Sequence, residues 1–195
     1  MEVQRLPLAL TIDPDAHLFR RLYPEEIIPG LNVLLEDPEK IFVIPGAEDQ
    51  ESHKIYLELA KMTQAKKGGE VLSAREITED RILKSSLMLL GESWRDPIFS
   101  ALFSKLPEGV RLEKGVLVVN GRKVAEQGDS LLLTIPHPLR PGKFVTLYFG
   151  NSNQALSRAR YIFFYGWDSY LFFKDGRAEK RGNFPPLRSW LSHVF

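Results

Sequence analysis

The apolar positions change their period along the chain, and the change divides it into two parts. Residues 41–44 and 87–90 are unbroken apolar runs, each followed by Pro or Gly. Runs of that length read as strands covered on both faces. Between them, residues 52–67 place Ile55, Leu59 and Met62 at helical spacing, with Lys and Glu on the other faces. This predicts an amphipathic helix that Gly68 and Gly69 stop. Residues 71–74 predict a short strand, and 76–84 a brief helix or polar connection. Asp96 before Pro97 is a helix start, with Asp as cap and Pro at the first helical position. Ile98, Leu102 and Phe103 give that helix its buried stripe, and Pro107 and Gly109 end it.

After residue 110 the pattern becomes one of strands and tight turns. Residues 116–119 lead into Asn120–Gly121, a strong hairpin signal. Gly128–Asp129 is a second turn. Residues 131–135 and 144–149 predict strands joined by a proline-rich loop. A short helix is predicted over 152–160, and final strands over 162–165 and 170–173, followed by an Asp175–Gly176 turn. The fold class implied is α/β: a three-layer open mixed sheet, flavodoxin- or Rossmann-like in its first half, with antiparallel hairpins in its second half. Residues 41–195 form one such domain.

Residues 1–40 read as a lead-in that packs on this core. Residues 8–13 suggest a short strand, and Asp15 a cap for a helical turn through Arg21. Glu25 and Glu26 follow Pro24 at another first turn, where acidic groups suit the helix dipole. Ile27, Ile28, Leu31, Leu34 and Leu35 supply the packing face.

Composition narrows the function classes. The chain has 195 residues, 44% of them apolar, and a net charge of +1. A near-neutral total argues against a dedicated electrostatic nucleic-acid binder, so no nucleic acid is expected as a partner. It also conceals a polarity. Residues 1–40 carry 8 acidic and 4 basic side chains, whereas 140–195 carry 9 basic and 3 acidic. With no cysteine there are no disulfides, thiol nucleophiles or thiolate metal sites. Four scattered histidines show no metal-ligand spacing, and no metal or cofactor is expected. The first residues lack the long apolar core of a leader or anchor, and no run is long enough to span a membrane. The expected location is the cytoplasm.

The candidate chemistry lies where apolar strands end in glycine. Residues 44–49, 89–93 and 148–153 share a form: strand, glycine, small or polar residues, helix. In open α/β sheets ligands lie beyond the carboxyl ends of strands, and glycine lets backbone approach an anion. The same glycines also serve a tight strand-to-helix turn. Gly46, Glu48, Gly91, Glu92, Ser93, Arg95, Gly150, Asn151 and Ser152 are the ligand-binding candidates, with Arg140 as a second cation for a carboxylate. The dinucleotide and triphosphate glycine signatures are absent, and Ser93 lacks the second glycine of a nucleophile elbow. The aromatics of the second half are expected mainly in the core, with Trp167, Tyr170 and Trp190 the first choice for a protein contact.

Residues 13–38 followed by 40–46 resemble a segment that follows the catalytic body in some bacterial proteins related to gluzincin aminopeptidases. Residues 87–110, 116–124, 131–156 and 165–182 look like domains appended to those proteins and to bacterial prolyl-oligopeptidase-like hydrolases. Gly91, Pro97, Leu106, Pro107, Asn120, Gly121, Pro136, Pro138, Pro141, Gly150 and Asn151 carry the match. The resemblance implies an accessory C-terminal module beside a catalytic one, and no peptidase motif is present to carry activity over. The expected function is therefore a non-catalytic accessory or protein/peptide-interaction domain. Its expected partner is another protein domain, a peptidase-like protein or a second copy of the chain. The alternative is a small cysteine-independent hydrolase or transferase using the strand-end loops.

Overall fold

A computed structural model describes residues 8–13, 17–18, 20–46, 50–186 and 191–194. Its elements run β1 (Ala9–Thr11), α1 (Leu31–Leu35), β2 (Ile41–Ile44), α2 (Gln50–Lys67), β3 (Glu70–Ser73), α3 (Glu79–Lys84) and β4 (Leu87–Leu90). Then come β5 (Val110–Glu113), β6 (Val116–Val119), β7 (Arg122–Lys123), β8 (Asp129–Pro136), β9 (Phe144–Gly150) and α4 (Asn153–Leu156). The last elements are β10 (Tyr170–Lys174), β11 (Arg177–Gly182) and β12 (Ser192–Val194). Short 3-10 turns occupy Gly91–Arg95, Pro97–Phe103 and Ala159–Tyr165.

Seven strands form the central sheet in the order β11-β10-β8-β9-β4-β2-β3. The β9, β4, β2 and β3 neighbours are parallel, and the β9, β8, β10 and β11 neighbours antiparallel. The fold is thus mixed α/β, parallel through its first half and closed by hairpins. Period-two alternation sends Ile41, Val43, Leu87 and Leu89 to one face and Phe42, Met88 and Leu90 to the other. The first face is covered by α3, the 3-10 turns over 91–103 and a small sheet of β5, β6 and β7. The second is covered by α1, α2, α4 and the 3-10 turn over 159–165. Both faces are apolar because both are covered, which is why β2 and β4 read as unbroken apolar runs. Each buried Leu, Phe or Val contributes about 1.5–3 kcal/mol, so packing against the sheet, not intrinsic propensity, holds the short helices.

Several boundaries coincide with the sequence expectations, β2 and β4 to the residue. Asp96 caps the turn after it, its carboxylate accepting from Ile98 N at 3.1 Å. Asn120 and Gly121 both have positive φ, 48° and 79°, as a two-residue hairpin turn requires. Of the lead-in's expected packing residues, Leu31, Leu34 and Leu35 are buried against the second face with Ile27 half-buried beside them, whereas Ile28 is exposed. Asp15 and Trp190 lie outside the described residues.

Residues 162–165 depart from expectation: they are 3-10 helix, not strand. Ala159, Ile162 and Tyr165 recur every third residue and face the core, which suits three residues per turn and defeats a two-residue period. The helix expected over 152–160 is correspondingly split into α4, capped by Ser152, and this 3-10 turn. Tyr170 is buried while Trp167 is 72% exposed, so the contact candidates part company.

Candidate functional site

The three glycine-ended strands are neighbours. β9, β4 and β2 lie side by side and parallel, so Gly150, Gly91 and Gly46 share one edge of the sheet. The chain leaves β2 onto the second face through α2 and leaves β4 onto the first face through the 3-10 turns. The crevice between β2 and β4 is therefore a topological switch point. Glu48 falls in residues 47–49, outside the described set.

At that edge the polar side chains are turned to structural work. Gly91 has φ +58°, the left-handed conformation that lets β4 bend at once into a 3-10 turn. The Ser93 hydroxyl is buried and faces the Val43 carbonyl at 3.5 Å. Glu92 and Arg95 form an ion pair with each other, and the Arg95 guanidinium lies 4.9 Å from the Trp94 ring centre. At the end of β9, Gly150 N donates to the Tyr56 hydroxyl at 3.2 Å. Asn151 Nδ2 donates to Glu126 O at 2.9 Å, and Ser152 Oγ to Gln127 O at 2.7 Å. Ser52 Oγ donates to Asn153 Oδ1 at 2.6 Å, tying α2 to α4. The one loose end is the Trp94 indole N–H, buried without a hydrogen-bond partner among the described residues.

Arg140 does not join them. It sits in the loop that enters β9, whereas Gly150 ends it, so the strand's seven residues, roughly 20 Å, separate the two. Around Arg140 opens a cavity of about 400 Å³ walled by Leu106, Pro107, Pro138 and Phe144, with Lys105 and Arg140 at its margin. Its loop is fixed from within. His137 Nδ1 accepts from Leu139 N at 3.2 Å, so its Nε2–H donates to Ile82 O, 3.0 Å away. Burial pulls the His137 pKa below 6.5, and Lys143 adds to that pull. Lys143 reaches Asp37 at 2.9 Å and Glu39 at 2.8 Å. Burial pushes Asp37 up, but hydrogen bonds from Ser86, the Glu39 amide and Lys143 outweigh it, and its pKa lies below the usual value.

A third arrangement went unread in the sequence as a site. On the 3-10 turn over 159–165, Tyr161 and Phe164 are three residues apart and so eclipse one another. Their rings stack at 5.8 Å, 51% and 77% exposed. Concavities of about 570 and 280 Å³ open on either side of this pair, both lined by Arg158. Arg177, across the smaller one, and Arg158 have no ion-pair partner among the described residues. Arg160 is only 3.9 Å from Glu58. The signal available was the i, i+3 aromatic pair directly after two arginines.

None of these concavities is lined by a residue of the three strand-end loops. Among the described residues no group of three metal-ligating side chains comes together, and no helix is long and apolar enough to cross a membrane. No family model and no curated protein matches the chain.

Proposed function

We propose that the chain is a non-catalytic interaction module that binds an acidic peptide segment of another protein. The carrying observation is the stacked Tyr161–Phe164 pair held in solvent beside Arg158 and Arg177, neither of which has an ion-pair partner among the described residues. Exposed aromatics and arginines are the residue types that dominate binding energy at protein contacts. An unpaired guanidinium offers a planar fork that matches a carboxylate.

Peptide is favoured over nucleic acid by the acids interspersed among the arginines of this region. Glu58 approaches Arg160, and Asp168 lies 3.6 Å from Arg181. A continuous phosphate chain would meet these carboxylates, whereas a peptide can place its acids between them. Binding is favoured over catalysis by the strand-end loops, where the Ser93, Asn151 and Ser152 side chains are engaged within the protein.

The test is fluorescence anisotropy with labelled peptides of mixed Glu and Leu, their Lys-for-Glu counterparts, and labelled oligothymidylate. The acidic peptide is expected to bind, and Phe164→Ala or the Arg158→Ala/Arg177→Ala pair to weaken it at least about tenfold, or 1.4 kcal/mol. Equal binding of acidic and basic peptides, no binding of either, or tighter binding of oligothymidylate would overturn the proposal.

A further inference from the structure

The cavity at the amino end of β9 has a chemistry of its own, unrelated to the aromatic surface. Its volume, about 400 Å³, falls within the range of small-ligand sites, roughly 300–1,000 Å³. That space would hold on the order of a dozen water-sized groups. The Leu106, Pro107, Pro138 and Phe144 walls offer apolar surface. The charges around it are unequal. Lys143 is committed to Asp37 and Glu39, and Glu25 contributes one carboxylate. Lys105 and Arg140 are left with no ion-pair partner among the described residues.

The walls are also rigid before any ligand arrives. Proline fixes φ, and the entering loop closes on itself, His137 N donating to Lys143 O at 2.8 Å and Lys143 N to Arg140 O at 3.2 Å. The His137 ring clamps the loop to the Ile82 carbonyl within α3. Gly142, at φ +82°, brings the loop against Pro24 of the lead-in. A cavity already held in shape loses little ordering entropy on binding.

We propose that this cavity binds a small organic acid: one carboxylate, held by Arg140 and Lys105, on an apolar body the size of a medium-chain acyl group. The carboxylate takes the fork of Arg140, and the acyl body displaces water from the proline and leucine walls.

Octanoate is the probe, followed by calorimetry and by amide chemical shifts of the full chain. Saturable binding is expected, with the largest shifts in residues 137–143 and 105–106. Octan-1-ol should bind at least tenfold more weakly, and so should octanoate to the Lys105→Gln/Arg140→Gln variant, whose exposed side chains carry no core contacts. Phe164→Ala should leave octanoate binding unchanged, which separates this site from the peptide surface. Three results would overturn the proposal: no saturable binding at millimolar octanoate, binding indifferent to the carboxylate and to both cations, or shifts centred on Tyr161 and Phe164. Tighter binding of a peptide ending in a free leucine carboxylate would also overturn it, by assigning the cavity to a chain terminus.

Discussion

The Ser86 hydroxyl donates to the Asp37 carboxylate at 2.6 Å, and the same oxygen accepts from Phe144 N at 3.1 Å. Residues preceding β2 and β4 and the first residue of β9 are thereby joined at the edge of the sheet opposite the glycine loops. Lys143 completes the cluster through Asp37. Ser86 itself is fully buried, so water cannot replace it.

Ser86→Ala is expected to destabilise the protein by about 1–3 kcal/mol, because it strands the buried Phe144 N–H and removes one donor from Asp37. Urea unfolding checks this. The midpoint should fall with the slope unchanged.

The His137 ring gives a pH dependence of definite sign. Its folded-state pKa lies below 6.5, so below pH 6.5 the unfolded chain takes up a proton that the folded chain refuses. Stability should therefore fall as pH drops from 6.5 toward the folded value, by at most about 1.4 kcal/mol per pH unit from this group. Above pH 6.5 this contribution is fully present. Unfolding measured from pH 7 to pH 5 should show a shallower slope in His137→Gln than in the parent.

Gly30 sits where α1 meets the turn before β10. A Cβ there would lie 2.7 Å from the Gly166 carbonyl oxygen, which also accepts from Asn32 N at 2.9 Å. Backbone on both sides leaves nothing flexible to yield. Gly30→Ala is expected to cost about 1–3 kcal/mol, seen as a lower thermal midpoint.

Ile162 and Phe164 are two residues apart on one turn, one fully buried and the other 77% exposed. Ile162→Ala should destabilise by about 2–5 kcal/mol. Phe164→Ala should change stability by no more than about 0.5 kcal/mol. A comparable loss from both would mean that Phe164 is packed and unavailable to a peptide.

Strands β2 and β4 were legible because each four-residue apolar run ends directly in Pro or Gly, which leaves no room for a helix to continue. The shared edge of Gly46 and Gly91 follows from parallel β2 and β4, but Gly150 joins it only because β9, expected among the antiparallel strands, also pairs in parallel with β4. What those loops do was not legible. Ser93 and Val43 are fifty residues apart, Asn151 and Glu126 twenty-five, and no local pattern reports such partners. Arg140 was separable in principle: a residue before a strand cannot lie beside the glycine after it. The run 162–165 misled because four apolar residues fit either period, and only the flanking Ala159 favours three.

The sheet ends in two rims of different make but equal effect. β11 is exposed along its first five residues, carries Arg177, Glu179, Lys180 and Arg181, and pairs with β10 through an irregularity between Phe172 and Phe173. β3 is four residues long, and its Glu70 is tied to Arg81. Short, charged or distorted rims discourage the addition of a further strand. The sheet is thus finite by construction. The rims offer a further strand a poor backbone ladder, so the side chains of the sheet and its covering turns are the groups left to make contacts.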